Sequence, residues 1–236
     1  MTASSLLYVT QVAPYRDGPA GVHGVLDQSA TAMSELAETA GLGFTRVADV
    51  RDLETSTLDS AAVLALFTIG ETPWSIDQRS TILTRLRAGK LAVLAIHSST
   101  DACYEWDEYP LVVGARFDGH PWTQACHLDV TDPTHPAVAH LGSTWYWHDE
   151  VYQFKNVRED ATVLLTARPH ELAQEPRSAR AHDPLPTLPL SWCFTEGKGR
   201  VFSTSLGHFP HAWESQDYLR HLAGGLEWLT RCSDGA

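Results

Sequence analysis

Histidine is the residue type whose placement in this sequence most suggests chemistry. Twelve are present, and three follow apolar runs of the kind that form buried strands. His97 closes the run Leu91-Ala-Val-Leu-Ala-Ile96, His208 follows Val201-Phe-Ser-Thr-Ser-Leu-Gly207, and His23 lies in a Gly-rich loop after Leu6 to Thr10. Glu71 and Trp74 follow a further apolar run, Ala61 to Ile69. In open parallel α/β sheets, ligands bind outside the carboxyl ends of the strands. Four loops therefore aim polar or aromatic side chains at one rim. Imidazole titrates near neutrality and ligates metals, so His97 and His208 are candidates for acid/base catalysis or for metal ligation.

The carboxylates that could serve such a rim are Asp149 and Glu150, after the aromatic run Trp145-Tyr146-Trp147. Neighbours on a strand point to opposite faces, so only one can enter a given pocket, as general base or as orienter of an imidazole. His120, in Gly119-His120-Pro121, reads as part of a rigid turn beside Trp122 that reaches the rim from the second half of the chain. The expected catalytic set is His97, His208, Asp149 and Glu150; the expected substrate contacts are His23, Glu71, Trp74, His120 and Trp122. With a carboxylate, His97 and His208 would make the three-ligand set of a catalytic zinc site. The sequence specifies no cofactor; a divalent metal such as zinc is the option it leaves open.

Other residues of the same types have blander readings. His135, His140, His170, His182 and His221 read as solvated or capping residues, and His127, His148 and His211 are unassigned. Trp106, Trp122, Trp145 and Trp147 would form either an aromatic platform for a sugar ring or part of the core. The motifs G-x-S-x-G, G-x-x-x-x-G-K-[ST] and H-E-x-x-H are absent, as is a G-x-G-x-x-G after the first strand, so serine-hydrolase, nucleotide and metalloprotease chemistry lack their usual signatures.

The elements that must position these residues alternate along the first half. Strands are predicted at Leu6 to Thr10, Phe44 to Val47, Ala61 to Ile69 and Leu91 to Ile96. The intervening helices carry Leu26, Ala30, Met33, Leu36, Ala37 and Ala40, stopped by Gly41, and Ile82, Leu83 and Leu86, stopped by Gly89. Ser75 to Gln78 has the S-x-x-Q form of a capping box. This alternation is the signature of a doubly wound α/β fold with a mostly parallel sheet flanked by helices.

From Tyr104 to Ser191 the pattern loosens. Short strands are expected at Cys126 to Val130, Tyr146 to Phe154 and Thr162 to Thr166, with an irregular, mobile loop at Pro169 to Pro189. A strand at Arg200 to Ser205 and a helix capped by Ser215 complete the chain, and Gly224-Gly225 in that helix predicts close packing on the sheet. The 236 residues suit one domain, 1–236.

Composition narrows the partners. The net charge is -12, and no Lys/Arg cluster offsets it, which disfavours nucleic acid. The expected partner is a small-molecule sugar, with no nucleic acid and no membrane, and a homo-oligomer is left open. Met1 to Pro14 has no basic n-region and too short an apolar run for a signal peptide. Four scattered cysteines without a C-x-x-C pair argue against a disulfide scaffold. The expected location is cytoplasmic.

Four segments resemble the ThuA-like (trehalose utilisation) family. They are Ala95-Ile-His97-Ser-Ser-Thr-Asp-Ala102, Val113-Gly-Ala-Arg-Phe-Asp-Gly-His120-Pro121, His148-Asp-Glu150-Val-Tyr152, and Leu190-Ser-Trp192 through Gly197-Lys-Gly-Arg-Val-Phe202 to Ser205-Leu-Gly-His208. They occur in the family's order. The resemblance implies a three-layer fold similar to class I glutamine amidotransferases, themselves flavodoxin-like. Those enzymes carry a Cys nucleophile in the turn after the central strand. Here that turn is Ile96-His97-Ser98, and the nearest thiol, Cys103, is six residues beyond His97. Glutaminase chemistry is thus not expected. The resemblance implies a role in disaccharide catabolism beside an oxidoreductase that makes 3-keto sugars. By matching motif, it carries a site role to His97, His120, Asp149, Glu150 and His208.

Two functions follow. The first is an enzyme acting on a disaccharide or keto-glycoside, with a base removing the acidified proton next to the keto group and an imidazolium or metal stabilising the enolate. The second is a non-catalytic carbohydrate- or partner-binding domain on the same scaffold.

Overall fold

The computed structural model describes residues 4–21, 23–173 and 187–231. Its elements run in the order β1 (Ser5–Val9), β2 (Pro14–Tyr15), β3 (Gly18–Ala20), α1 (Leu26–Thr39), β4 (Gly43–Val47), α2 (Thr55–Ser60), β5 (Ala61–Leu66), α3 (Ile76–Arg87) and β6 (Ala92–Ile96). They continue with α4 (Pro110–Val113), β7 (Arg116–Val130), β8 (Thr144–Lys155), β9 (Thr162–Ala167), β10 (Leu188–Glu196), β11 (Gly199–Thr204), α5 (Pro210–Glu214) and α6 (Gln216–Thr230). Nine strands form one sheet in the order β4-β1-β5-β6-β11-β10-β9-β7-β8.

The sheet changes character at β11. From β4 to β11 every pairing is parallel, and from β11 to β8 every pairing is antiparallel. Helices α1, α5 and α6 pack on one another, and α2 packs on α3, giving the α/β sandwich that the alternating pattern predicts. Strands β5 and β6 read as unbroken apolar runs because helices bury the sheet from both sides: Val63, Leu64, Val93, Leu94 and Ile96 are fully buried. Each such side chain contributes roughly 1.5–3 kcal/mol of hydrophobic stabilisation.

The local signals place the helices. Ser75 accepts from the Gln78 backbone N–H and Gln78 accepts from that of Ser75, a complete capping box. The Gln78 amide also donates to the Val50 and Leu53 carbonyls, anchoring the start of α3. The glycine pair of α6 packs as its composition suggests: a Cβ on Gly224 would lie 2.3 Å from the Pro136 carbonyl, and one on Gly225 2.7 Å from the Phe202 ring.

Three expectations are corrected. His120 does not lie in a turn; it sits inside β7, a 15-residue strand that begins ten residues before the expected Cys126. Gly119 and Pro121 conceal this strand because both weaken a regular ladder. Register shifts against β8 between Phe117 and Trp122 absorb them as a bulge. His221 is not solvated: it is fully buried, with Nδ1 on the Ala137 carbonyl and Nε2 on the Thr204 hydroxyl. His135 is buried as well, stacked on Phe202, so it is not solvated, although it does cap a turn, its Nδ1 accepting from the Ala137 N–H. The predicted loop from 169 to 189 falls largely outside the described residues, as does His182; its flanks are a 3-10 turn at Pro169–Glu171 and the start of β10.

Candidate functional site

The register of the parallel strands builds the site. Val9 lies opposite Leu66, Leu66 opposite Ala95, and Ile96 opposite Thr204, so β1, β5, β6 and β11 end almost in line. The residues that follow them meet at one rim. His97, the first residue after β6, has φ +49 and is buried. Its Nδ1 lies 2.8 Å from the Ser205 carbonyl, just beyond β11. A carbonyl only accepts, so Nδ1 carries the hydrogen and Nε2 presents a lone pair. That lone pair faces His208 Nδ1 at 3.0 Å and the Tyr152 hydroxyl at 3.0 Å.

His23 closes the group from the loop before α1. Its ring centroid is 5.0 Å from that of His97 and 5.4 Å from that of His208, edge-on to both. Phe67, after β5, packs behind His23 and His97. One nitrogen from each of His23, His97 and His208 falls within 4.8 Å of the others.

The antiparallel half supplies the carboxylates. Alternation along β8 puts Glu150 and Tyr152 on one face and Asp149 on the other. Glu150 Oε2 is 3.4 Å from His208 Nδ1 and 3.6 Å from His97 Nε2, and its Oε1 is 3.5 Å from His120 Nδ1. Asp149 turns away from the imidazoles and holds the backbone under them. It accepts from the Gly207 N–H at 2.8 Å, the His208 N–H at 3.3 Å and the Trp147 indole at 3.1 Å. Gly207 is needed there: its φ is +115, and a Cβ would lie 2.3 Å from the Tyr218 hydroxyl.

His120 also lines a cavity of about 720 Å³, walled by Tyr15, Asp101, Tyr104, Phe117, Asp118 and Lys155, with Glu71 among its further lining residues. Both Tyr15 and Tyr104 donate to the Asp101 carboxylate. The volume is in the range of small-molecule sites.

The trehalose-utilisation family model, ThuA, matches residues 15–229, a span holding the imidazoles, the carboxylates and the cavity wall just described. The chain belongs to the ThuA family. Solved structures agree on the fold. A ThuA-like protein from Bacteroides uniformis superposes with a TM-score of 0.75 at 15% identity, over 100% of this chain and 96% of that one. One from Parabacteroides merdae gives 0.72 at 17% identity, over 100% and 93%. PurLQS from Thermotoga maritima gives 0.54 at 11% identity, over 96% of this chain and 100% of that one. No curated protein matches the chain.

In this ThuA-family chain His97 occupies the sharp turn after β6. Cys103 is buried, and burial pushes its thiol up to about 12, so it is no thiolate near neutral pH. Burial dominates the electrostatics of the cluster. It lowers His23 to about 4, with the neighbouring His208 adding to the effect, and it holds His97 well below its ordinary value. His208 and His120 are lowered for the same reason. Glu150 moves the other way, up to about 7, from burial and then from the Asp149 charge. With their imidazoles neutral, the His–Glu contacts are not ion pairs, and a carboxyl titrating near 7 suits a general base.

Of the residues singled out in the sequence, the fold brings together His23, His97, His208, Glu150 and His120, with Asp149 beneath them. Glu71 reaches the cavity wall, where it accepts from the Tyr104 and Glu105 N–H groups. Trp74 and Trp122 are placed in the packed core instead, and the Trp122 indole donates to the Ala173 carbonyl. Sequence reasoning passed over Tyr152 and Asp101. Strand period could have found Tyr152, two residues beyond Glu150; nothing local marks Asp101 as the acceptor of two tyrosines. No helix among the described residues is long and apolar enough to cross a membrane.

Proposed function

We propose that this ThuA-family protein is an enzyme acting on a disaccharide or keto-glycoside. The observation that carries the reading is the placement of Glu150 within 3.6 Å of His97, His208 and His120, beside the 720 Å³ cavity that His120 lines. The family's trehalose-utilisation description supports a sugar as the substrate. The cavity wall offers aromatic faces from Tyr15, Tyr104 and Phe117 together with charged groups, a mixture suited to a sugar's apolar faces and hydroxyl edges.

A keto group at C3 acidifies the hydrogen on C2. Glu150 takes that proton, and the electron pair of the C–H bond moves into the enolate. The oxygen that gains charge lies toward the imidazole cluster, where fixed polar groups stabilise it. Collapse of the enolate expels the group on C1 with the electron pair of the glycosidic bond, and the departing oxygen takes up the proton that Glu150 removed, which leaves the 1,2-unsaturated 3-keto sugar and free glucose. Asp149 acts through the backbone as a positioning residue for His208, and His120 contacts the sugar.

The test is incubation with 3-keto-trehalose in deuterium oxide, followed by NMR. Exchange of the C2 hydrogen and release of glucose by the native chain, both lost in Glu150→Gln, are the expected results. Calorimetric binding of the sugar with neither exchange nor release would make the chain a binding domain and end the enzymatic reading.

A further inference from the structure

We propose that the imidazoles of His23, His97 and His208 are the ligands of one divalent transition-metal ion of the zinc class, with the remaining position beside Glu150. The inference concerns the same cluster as the proposed activity but does not depend on it, since a protein that binds metal and leaves keto-glycosides unchanged would still satisfy it.

The first observation is His23. Both of its ring nitrogens are buried, and neither has a hydrogen-bond partner among the described residues. A buried polar group without a partner costs roughly 1–3 kcal/mol, so it calls for one. The ring does not point to solvent: it faces two more imidazoles, with Phe67 at its back.

The second observation is the spacing. Metal–nitrogen bonds of about 2.1 Å place tetrahedral ligand atoms roughly 3.4 Å apart. His97 Nε2 and His208 Nδ1 are 3.0 Å apart, and Glu150 Oε2 stands 3.4 and 3.6 Å from them. The two imidazole nitrogens are thus close to ligand spacing, and Glu150 stands beside the position left open, outside the ligand set. His23 presents the third nitrogen, within 4.8 Å of the other two, and a side-chain shift of about an ångström would bring it to ligand spacing.

The third observation is His97 itself. Its Nδ1–H is spent on the Ser205 carbonyl at 2.8 Å. This is the outer-sphere bond that fixes tautomer and ring orientation in metal-ligating histidines. It leaves the Nε2 lone pair for the ion. Asp149 supplies the corresponding support for His208 by gripping its backbone N–H. Three imidazoles and an open position are the donor set of a catalytic rather than a structural zinc site, and the open position would hold the oxygen on which negative charge develops.

Zinc titration of EDTA-stripped protein, read by calorimetry and by elemental mass spectrometry after gel filtration, tests the proposal. One zinc per chain is expected, with a rise in melting temperature. His23→Ala is the most informative variant, because its ring has no hydrogen-bond partner among the described residues. Its circular dichroism and metal-free melting should match the native chain, while zinc affinity falls at least about tenfold. His208→Ala should do the same. Cobalt in place of zinc should show the intense visible bands of a four-coordinate centre in the native chain only, an outcome that holds even if a variant misfolds. No stoichiometric binding by the native chain, or full retention of zinc by both variants, would overturn the site. The deuterium-exchange experiment reads the enzymatic proposal separately.

Discussion

The two halves of the sheet deliver chemistry in different ways. In the parallel half, β4-β1-β5-β6-β11, the central strands are largely buried, and the side chains of the candidate site stand where the chain leaves the sheet, at His23, His97 and His208. In the antiparallel half, Glu150 and Tyr152 project from the middle of β8, and His120 from a bulge in β7. The parallel half hides its strands under helices, so polar groups must wait for the loops. The antiparallel half alternates, so a strand can carry a carboxylate on one side and packing residues on the other. The site lies where the two strategies meet, and Asp149 ties them together by holding the Gly207–His208 backbone from β8.

The comparison can be broken most sharply at Glu150. If the antiparallel half supplies the base, Glu150→Gln should lower turnover of a keto-glycoside by about 10²- to 10⁴-fold with the melting temperature nearly unchanged. A loss below tenfold would move the base to the loops of the parallel half.

The next largest effect is expected in His221, which shows how the parallel half treats histidine away from the rim. Both ring nitrogens are satisfied in the core, so His221→Ala should cost about 2–4 kcal/mol in urea unfolding, without a change in zinc binding. Its titration carries a sign. Burial lowers its pKa from 6.5 to about 3, with His140 and His135 adding to the shift. Between those values the unfolded chain binds a proton that the folded chain refuses. The stabilisation is therefore complete above pH 6.5 and is lost as pH falls toward 3, by up to about 1.4 kcal/mol per pH unit. His221→Asn should flatten that part of the stability profile.

Asp149→Asn sharpens the link between the halves. The amide keeps the size but places a donor among N–H donors, for a cost of about 1–3 kcal/mol in stability. Turnover should fall through kcat rather than KM, since the residue positions His208 and does not touch the sugar. The smallest effect is expected at the capping box: Ser75→Ala should cost about 1 kcal/mol and leave turnover intact.

Much of this was legible beforehand, for local reasons. The capping box at Ser75 and Gln78, the glycines that close α1 and α3 with φ +70, and the buried runs of β5 and β6 are each written within a few residues. The placement of His97 and His208 just beyond β6 and β11 is legible because a strand end is a local feature. The extent of β7 was not legible, because Gly119 and Pro121 weaken a strand locally and only pairing with β8 overrides that. Nor was the burial of Trp74, Trp122 and His221, since an isolated aromatic reads alike in a core and at a rim.

The sequence by itself determined which residues stand at the ends of buried strands, because hydrophobic period and punctuation are short-range properties. It also determined the family, through four segments in order. Only the tertiary structure decided that the Nε2 of His97 faces His208, Glu150 and Tyr152 at once, and that the His23 ring has no hydrogen-bond partner among the described residues. Those relations join residues more than fifty positions apart, and they are set by strand register and by the hydrogen bond of Nδ1 to the Ser205 carbonyl, neither of which any local pattern encodes.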